Sequence, residues 1–198
     1  MVETPRRREI EDVASDLFRE HGYAATSVRD IARALDIQGA SLYAHVASKE
    51  DVLWAIVDRA ATRFEAAAAA ADARAAADGP GDHVARLDAL VRTHVAAIAE
   101  DVDAAGVFLG EWRSLGPDRR AVILERRDAY ERRLRDLIAD GMATGAFRMT
   151  DPAVATTFVL GALNAIAGWY HQDGRLSPDR IADHAAGFVV SALTDGPT

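Results

Sequence analysis

The chain has 198 residues, a formal net charge of −8 and no cysteine. That length allows one good core, or a small domain joined to a larger one. The acidic balance excludes a protein that coats nucleic acid through bulk charge, and the missing cysteines exclude disulfides, thiolate metal sites and cysteine nucleophiles.

The start, MVETPRRREIED, places charges where a signal peptide needs an apolar stretch, so a cytoplasmic protein is expected. The first predicted helix runs from about Pro5 to Glu20, with Ile10, Val13, Ala14, Leu17 and Phe18 on one apolar stripe and Gly22 as its stop. Arg6, Arg7 and Arg8 are expected to form a flexible basic arm ahead of it. A short second helix follows in TSVRDIARAL, where Ser27 and Asp30 have capping-box spacing. Asp36 and Ile37 make a tight connection to a third helix, Gln38 to His45, whose inward residue is Leu42. Ser48 and Asp51 repeat the capping spacing and open a fourth helix with Val52, Leu53, Ile56, Val57 and Ala60 inward. The second and third helices have the lengths and turn of a helix-turn-helix.

The fourth helix decays into EAAAAAADARAAAD, expected to be a solvated or lightly packed arm, and breaks at DGPGD, residues 78 to 82. Helical periodicity resumes at Val84, Leu87, Leu90, Val91, His94, Val95 and Ile98. An apolar segment from Val107 to Leu115 and a longer helix from Pro117 to about Ala143 come next. Residues 152 to 172 contain no Lys, Arg, Asp or Glu and could span a membrane by length. Thr, Asn and small residues make the stretch only weakly hydrophobic and no basic cluster flanks it, so a helix buried within protein is expected. The last two helices are predicted at about 151 to 171 and 178 to 194. The predicted fold is all-α: a small N-terminal helix-turn-helix domain over residues 1–50 and a larger helical bundle over 51–198.

The segment DIQGASLYAHVASKED, residues 36 to 51, carries the functional signal. A helix entering the DNA major groove needs its first turn close to base edges, and small residues such as Gly39 and Ala40 permit that approach. Gln38 and Ser41 can hydrogen-bond base edges or phosphate, and Tyr43 and His45 can reach phosphate oxygens. Lys49, the one lysine of the chain, follows the Ser48 cap, where the helix macrodipole disfavours a cation by about 0.3–1 kcal/mol. A phosphate placed there reverses that penalty. Packing roles for Tyr43 and His45 are the alternative.

The run from Arg8 to Leu53 resembles the N-terminal domain of TetR-family transcriptional regulators. The resemblance lies in Ala14, Leu17, Phe18, Gly22, Tyr23, Thr26, Ser27, Ile31, Ala32, Leu35, Ser41, Leu42, Tyr43, His45, Ser48, Lys49, Glu50 and Leu53. It implies a homodimer on a double-stranded DNA operator, with Gln38 to His45 as recognition helix, Thr26 and Ser27 at the DNA backbone and Lys49 on phosphate. Val46 stands where an aromatic residue usually follows the histidine, so looser packing under the helix is expected.

The helix around Val154, Phe158, Leu163, Ile166 and Trp169 is apolar around most of its circumference and needs partners on more than one side. With the final helix it would form a symmetric four-helix interface between two copies, or else fill a monomer core. Phe64, His94, Phe108, Trp112, Tyr130, Asn164, Trp169 and Tyr170 offer aromatic walls with a few hydrogen-bonding groups for a small-molecule effector, although each also suits plain core. Arginines 119, 120, 126, 127, 132, 133 and 135 form either a salt-bridged face or a mouth for a phosphorylated effector. Residues 169 to 183 are similar to the equivalent stretch in TetR regulators of fatty-acid and steroid breakdown, which implies an acyl-CoA effector.

No H-x-x-x-H, H-E-x-x-H, G-x-S-x-G or P-loop spacing occurs, so neither catalysis nor a metal or cofactor is expected. The expected function is a ligand-released repressor. The rival reading is a helical small-molecule-binding protein with a non-functional DNA-binding domain.

Overall fold

A computed structural model of the protein describes residues 4–78 and 81–194, and among these all regular structure is helical. Gly79 and Pro80 of the expected DGPGD break lie outside the described residues. Contacts divide the chain into two compact units, one of residues up to Thr62 with Asp101–Glu125, the other of Arg63–Glu100 with residues from Arg126 onward.

In the first unit, α1 (Pro5–His21) starts on Thr4, whose side chain accepts from the Arg7 N–H, and ends at Gly22. Gly22 sits at φ 84°, and its N–H closes on the Phe18 carbonyl at 2.9 Å. Ile10, Ala14 and Phe18 are fully buried, as the stripe predicts. The arginines do not form an arm ahead of the helix. Arg6 and Arg7 lie in the first turn of α1, because Thr4 and Pro5 already start it there. Arg6 pairs with Glu9, and Arg7 donates at 3.0 Å to Glu11, a buried carboxylate that Arg59 also holds.

α2 (Val28–Ala34) begins with a complete Ser27–Asp30 capping box. It ends in a Schellman turn: Ile37 N–H donates to Ala32 O at 2.9 Å and Asp36 N–H to Arg33 O at 3.1 Å, with Asp36 in the left-handed region at φ 51°. This turn sets the angle into α3 (Gly39–Tyr43), which packs on α2 through Leu42. Val46, just beyond α3, is buried. α4 (Lys49–Asp78) opens with Ser48 accepting from the Asp51 N–H at 3.0 Å and buries Val52, Leu53, Ile56, Val57 and Ala60. α6 (Val102–Glu111) packs on α1 and leads through a 3₁₀ turn (Trp112–Ser114) into α7 (Pro117–Ala143). Arg119 in the first turn of α7 holds Asp51 and Glu50 of α4.

In the second unit the alanine-rich part of α4, expected as a solvated or lightly packed arm, is solvated on one side and packed on the other. Phe64, Ala68, Ala71 and Ala75 form a buried seam at three- and four-residue spacing, the small side chains allowing close approach of a neighbour. α5 (His83–Glu100) packs along α10 (Pro178–Thr194) and touches α8 (Pro152–Asn164) and α9 (Ile166–Trp169). The apolar stretch expected as one helix is therefore two, divided at Ala165, and it is not buried within the chain. Only 28% of Pro152–Trp169 is enclosed, and Val154, Phe158 and Trp169 are exposed.

Candidate functional site

The surface of the helix-turn-helix is built by α3 and its flanking turns. Leu42 is the inward anchor of α3, which leaves Gln38, Ala40, Ser41, Tyr43 and His45 exposed, Tyr43 by 56%. Gln38 caps α3 with backbone only, so its amide is not spent on the helix. No atom lies within 4 Å of the place a Cβ would take at Gly39. The tip is thus bare because nothing among the described residues covers it.

Thr26 and Ser27 part company. Ser27 is exposed, whereas Thr26 is 3% exposed and its hydroxyl donates to Gly22 O at 2.9 Å and Leu17 O at 3.3 Å. The Thr26 side chain therefore closes the α1–α2 turn from inside and does not face DNA. Asp30 accepts from Ser27 and from Arg33, and these bonds hold its carboxyl below the usual range.

Lys49 is anchored within the domain. Its Nζ donates to Tyr23 O and Thr26 O, both at 2.7 Å, and lies 4.0 Å from the centre of the Tyr23 ring. Two carbonyls and an aromatic face thus offset the unfavourable macrodipole without a phosphate, and one of the ammonium's three donors remains. From the other side Glu111 accepts from the Tyr23 N–H at 3.2 Å. The turn ahead of α2 is gripped by both.

Among the expected effector residues, the second unit brings together Phe64, His94, Tyr130 and Asn164. The rings of Phe64 and His94 are 4.9 Å apart and those of Phe64 and Tyr130 6.2 Å apart. His94 Nδ1 lies 2.8 Å from the Tyr130 hydroxyl. Burial drives the His94 pKa down to about 4, with a small opposing pull from Asn164, and pushes the Tyr130 phenol up. Phe108 and Trp112 belong to the first unit. They are buried there, because α6 follows the turn at Asp101 and packs on α1. Trp169 is half exposed and lines a groove of about 270 Å³ with Ala162, Ile166, Ile181, Ala185 and Phe188, while Tyr170 is buried. Arg126 grips Glu65 with Nε at 2.6 Å and Nη2 at 2.8 Å, and Arg133 faces Asp72 at 3.6 Å. These pairs fit the salt-bridged face better than a phosphate mouth.

Comparison with known proteins decides the family. Residues 10–56 match the bacterial regulatory proteins of the tetR family, and residues 80–193 match the tetracyclin repressor-like C-terminal domain. The chain belongs to the TetR family. It is 31% identical over 195 residues to the HTH-type transcriptional repressor KstR2 of Rhodococcus jostii, covering 95% of this chain and 91% of that one. The structure of the ketosteroid transcriptional regulator KstR2 of Mycobacterium tuberculosis superposes with a TM-score of 0.83 at 25% identity, covering 99% and 98% of the two chains. AibR, solved with isovaleryl coenzyme A and operator DNA, superposes with a TM-score of 0.76 at 29% identity over 92% and 97%. This TetR-family protein is a DNA-binding transcriptional regulator and not an enzyme.

Two exposed cations of this TetR-family surface escape a reading by recognition helix alone. Arg29 and Arg33, four apart on α2, line a cleft of about 380 Å³ with Asp36, Gln38 and Gly39. Their signal was their place on the polar face of α2, opposite Ile31 and Ala32.

The anchoring of Lys49 has a measurable consequence. Lys49→Ala leaves two carbonyls without their charged donor, a loss of about 1.5–3 kcal/mol for such bonds. The DNA-free protein is expected to melt roughly 5 °C lower. An unchanged melting temperature in a thermal scan would show that the ammonium does not hold the turn.

Proposed function

We propose that the protein is a ligand-released repressor that binds a palindromic operator as a homodimer. Residues 1–50 read DNA; residues 51–198 bind effector and form the dimer. The observation that carries the reading is the uncovered face of α3: Gln38, Ala40, Ser41, Tyr43 and His45 point outward, and only Leu42 is buried. Gln38, Gly39 and Ser41 would meet base edges. Ser27, Tyr43, His45, Arg29 and Arg33 would meet the backbone, with Arg6 and the remaining donor of Lys49 beside them. Arg7, engaged with Glu11, is the weaker candidate.

Dimerisation is supported by the exposed aromatic side chains of the last helices. Phe158 and Phe188 are 75% and 73% exposed on α8 and α10, an apolar face that a second copy would cover as a four-helix interface. Effector binding is supported by the enclosed cluster of Phe64, His94, Tyr130 and Asn164, and by AibR, which was solved with isovaleryl coenzyme A. A hydrophobic or acyl-CoA effector fits an apolar wall with few polar groups. α4 passes from the first unit into the second without interruption, so an effector that shifts it can act on the helix-turn-helix. A coupling of about 1–3 kcal/mol is enough for release.

The test is fluorescence anisotropy of the protein with its own upstream DNA between 50 and 200 mM salt, values chosen to span about 10³-fold in affinity for six or more phosphate contacts. Affinity is expected to fall steeply with salt, and Gln38→Ala to change preference at one or two bases while leaving the salt slope intact. Absence of specific binding, or binding that salt does not weaken, would overturn the reading.

A further inference from the structure

The polar pair inside the second unit is incomplete. His94 is 3% exposed, and its Nε2 has no hydrogen-bond partner. The other ring nitrogen, Nδ1, lies 2.8 Å from the Tyr130 hydroxyl. Two neutral arrangements fit this contact, and the one in which the more acidic phenol donates to Nδ1 and the ring proton sits on Nε2 uses the stronger donor and the stronger acceptor. The ring is uncharged near neutral pH because burial holds its pKa at about 4.

An N–H donor is thus left without an acceptor beside a gap walled by Leu90, Val91, Leu134, Val159, Leu160 and Leu163. The gap has no space for a water molecule, so solvent does not supply the acceptor. Asn164 forms only a weak hydrogen bond to the ring, which raises its basicity slightly, and Nε2 is left without a well-formed acceptor. Buried donors without partners are rare in folded proteins, and this one is explained by an acceptor from outside the chain. The aliphatic wall carries no cation, so a carboxylate seated there would lack a counter-ion.

We infer that the effector is a largely apolar molecule with an uncharged oxygen acceptor, a ketone, ester or thioester carbonyl, which wedges this gap open and accepts the Nε2–H bond of His94. The inference rests on the second unit being the effector seat and adds the polar group that selects within it.

Cyclohexanone and methylenecyclohexane test it, being alike in shape and differing in C=O against C=CH₂. The full-length protein is titrated with each by calorimetry, and the carbonyl stretch of bound cyclohexanone is read by infrared spectroscopy. The ketone is expected to bind about tenfold tighter, the scale of one satisfied buried donor. Its stretch is expected to move to lower frequency than in an alkane solvent. His94→Phe, which keeps a ring in place, should abolish both the preference and the shift and still bind methylenecyclohexane. Equal affinities, an unshifted carbonyl in the wild-type protein, or a preference that survives in His94→Phe would overturn the donor assignment while leaving the second unit as a seat for apolar ligands. Binding of neither compound would overturn that seat as well.

Discussion

Phe188→Glu is expected to make the protein monomeric and to weaken operator binding by at least about a hundredfold, the range by which linking two sites exceeds one. Phe188 is 73% exposed on α10, and Trp169 and Ile181 line the same groove. If a second copy covers this face, burying each phenyl ring contributes about 1.5–3 kcal/mol, and the two-fold axis counts it twice. Glutamate removes that burial and places two carboxylates in an apolar interface, which costs more than the loss alone. A monomer still carries one α3 but cannot engage both half-sites, which lie about one helical turn apart. Light scattering behind a sizing column and operator anisotropy are the measurements. Val122→Glu, at another exposed apolar side chain on α7, is the control and should change neither. A Phe188→Glu protein that stays dimeric would remove α10 from the interface.

What the sequence made legible was information written within a few residues. The Ile10–Ala14–Phe18 stripe, the Gly22 stop, the capping box at Ser27 and the side-chain cap at Ser48 each depend on i, i+3 or i+4 neighbours, and each stands in the structure. Features that depend on distant partners were not legible. The carbonyls that hold Lys49 come from a turn more than twenty residues earlier. The alanines of α4 carry no sign of their inward face, because an alanine is inward only when a neighbour comes close. That α6 packs on α1, so that Phe108 and Trp112 belong to the first unit, is likewise a contact between distant segments. The break at Ala165 lacks a Pro or an adjacent Gly to announce it.

The candidate DNA surface was more legible than the effector site for the same reason. Ala40, Ser41 and Tyr43 lie on one short helix, shorter than the expected Gln38 to His45, with Gln38 and His45 in its flanking turns and Leu42 as its inward anchor. The effector cluster draws Phe64, His94, Tyr130 and Asn164 from four different helices, α4, α5, α7 and α8, so sequence could nominate aromatic residues but not sort them.

His94→Phe is expected to flatten the acid limb of the stability curve. The His94 pKa is about 4 in the folded protein against 6.5 unperturbed. Between those values the unfolded chain binds a proton that the folded chain refuses. Stability from the neutral buried ring is therefore full above about pH 6.5 and is lost as pH falls toward 4, by up to about 3 kcal/mol. Asp16 acts with the opposite sign. Burial and the neighbouring Asp103 raise its pKa to about 6, so its ionisation destabilises the fold as pH rises from 3.8. A single acid titration of the wild-type protein mixes the two, but comparison of wild type with His94→Phe cancels Asp16 and the other carboxylates. At pH 7 the substitution removes an unpaired Nε2 and strands the Tyr130 hydroxyl, opposing effects of about 1–3 kcal/mol each, so the net change is small. At pH 4.5 the variant should be the more stable by roughly 2 kcal/mol relative to that baseline. Urea unfolding at the two pH values measures this double difference. A difference that is the same at both would mean that His94 is not held neutral by burial, and that its ring nitrogens are met in solution by partners other than Tyr130.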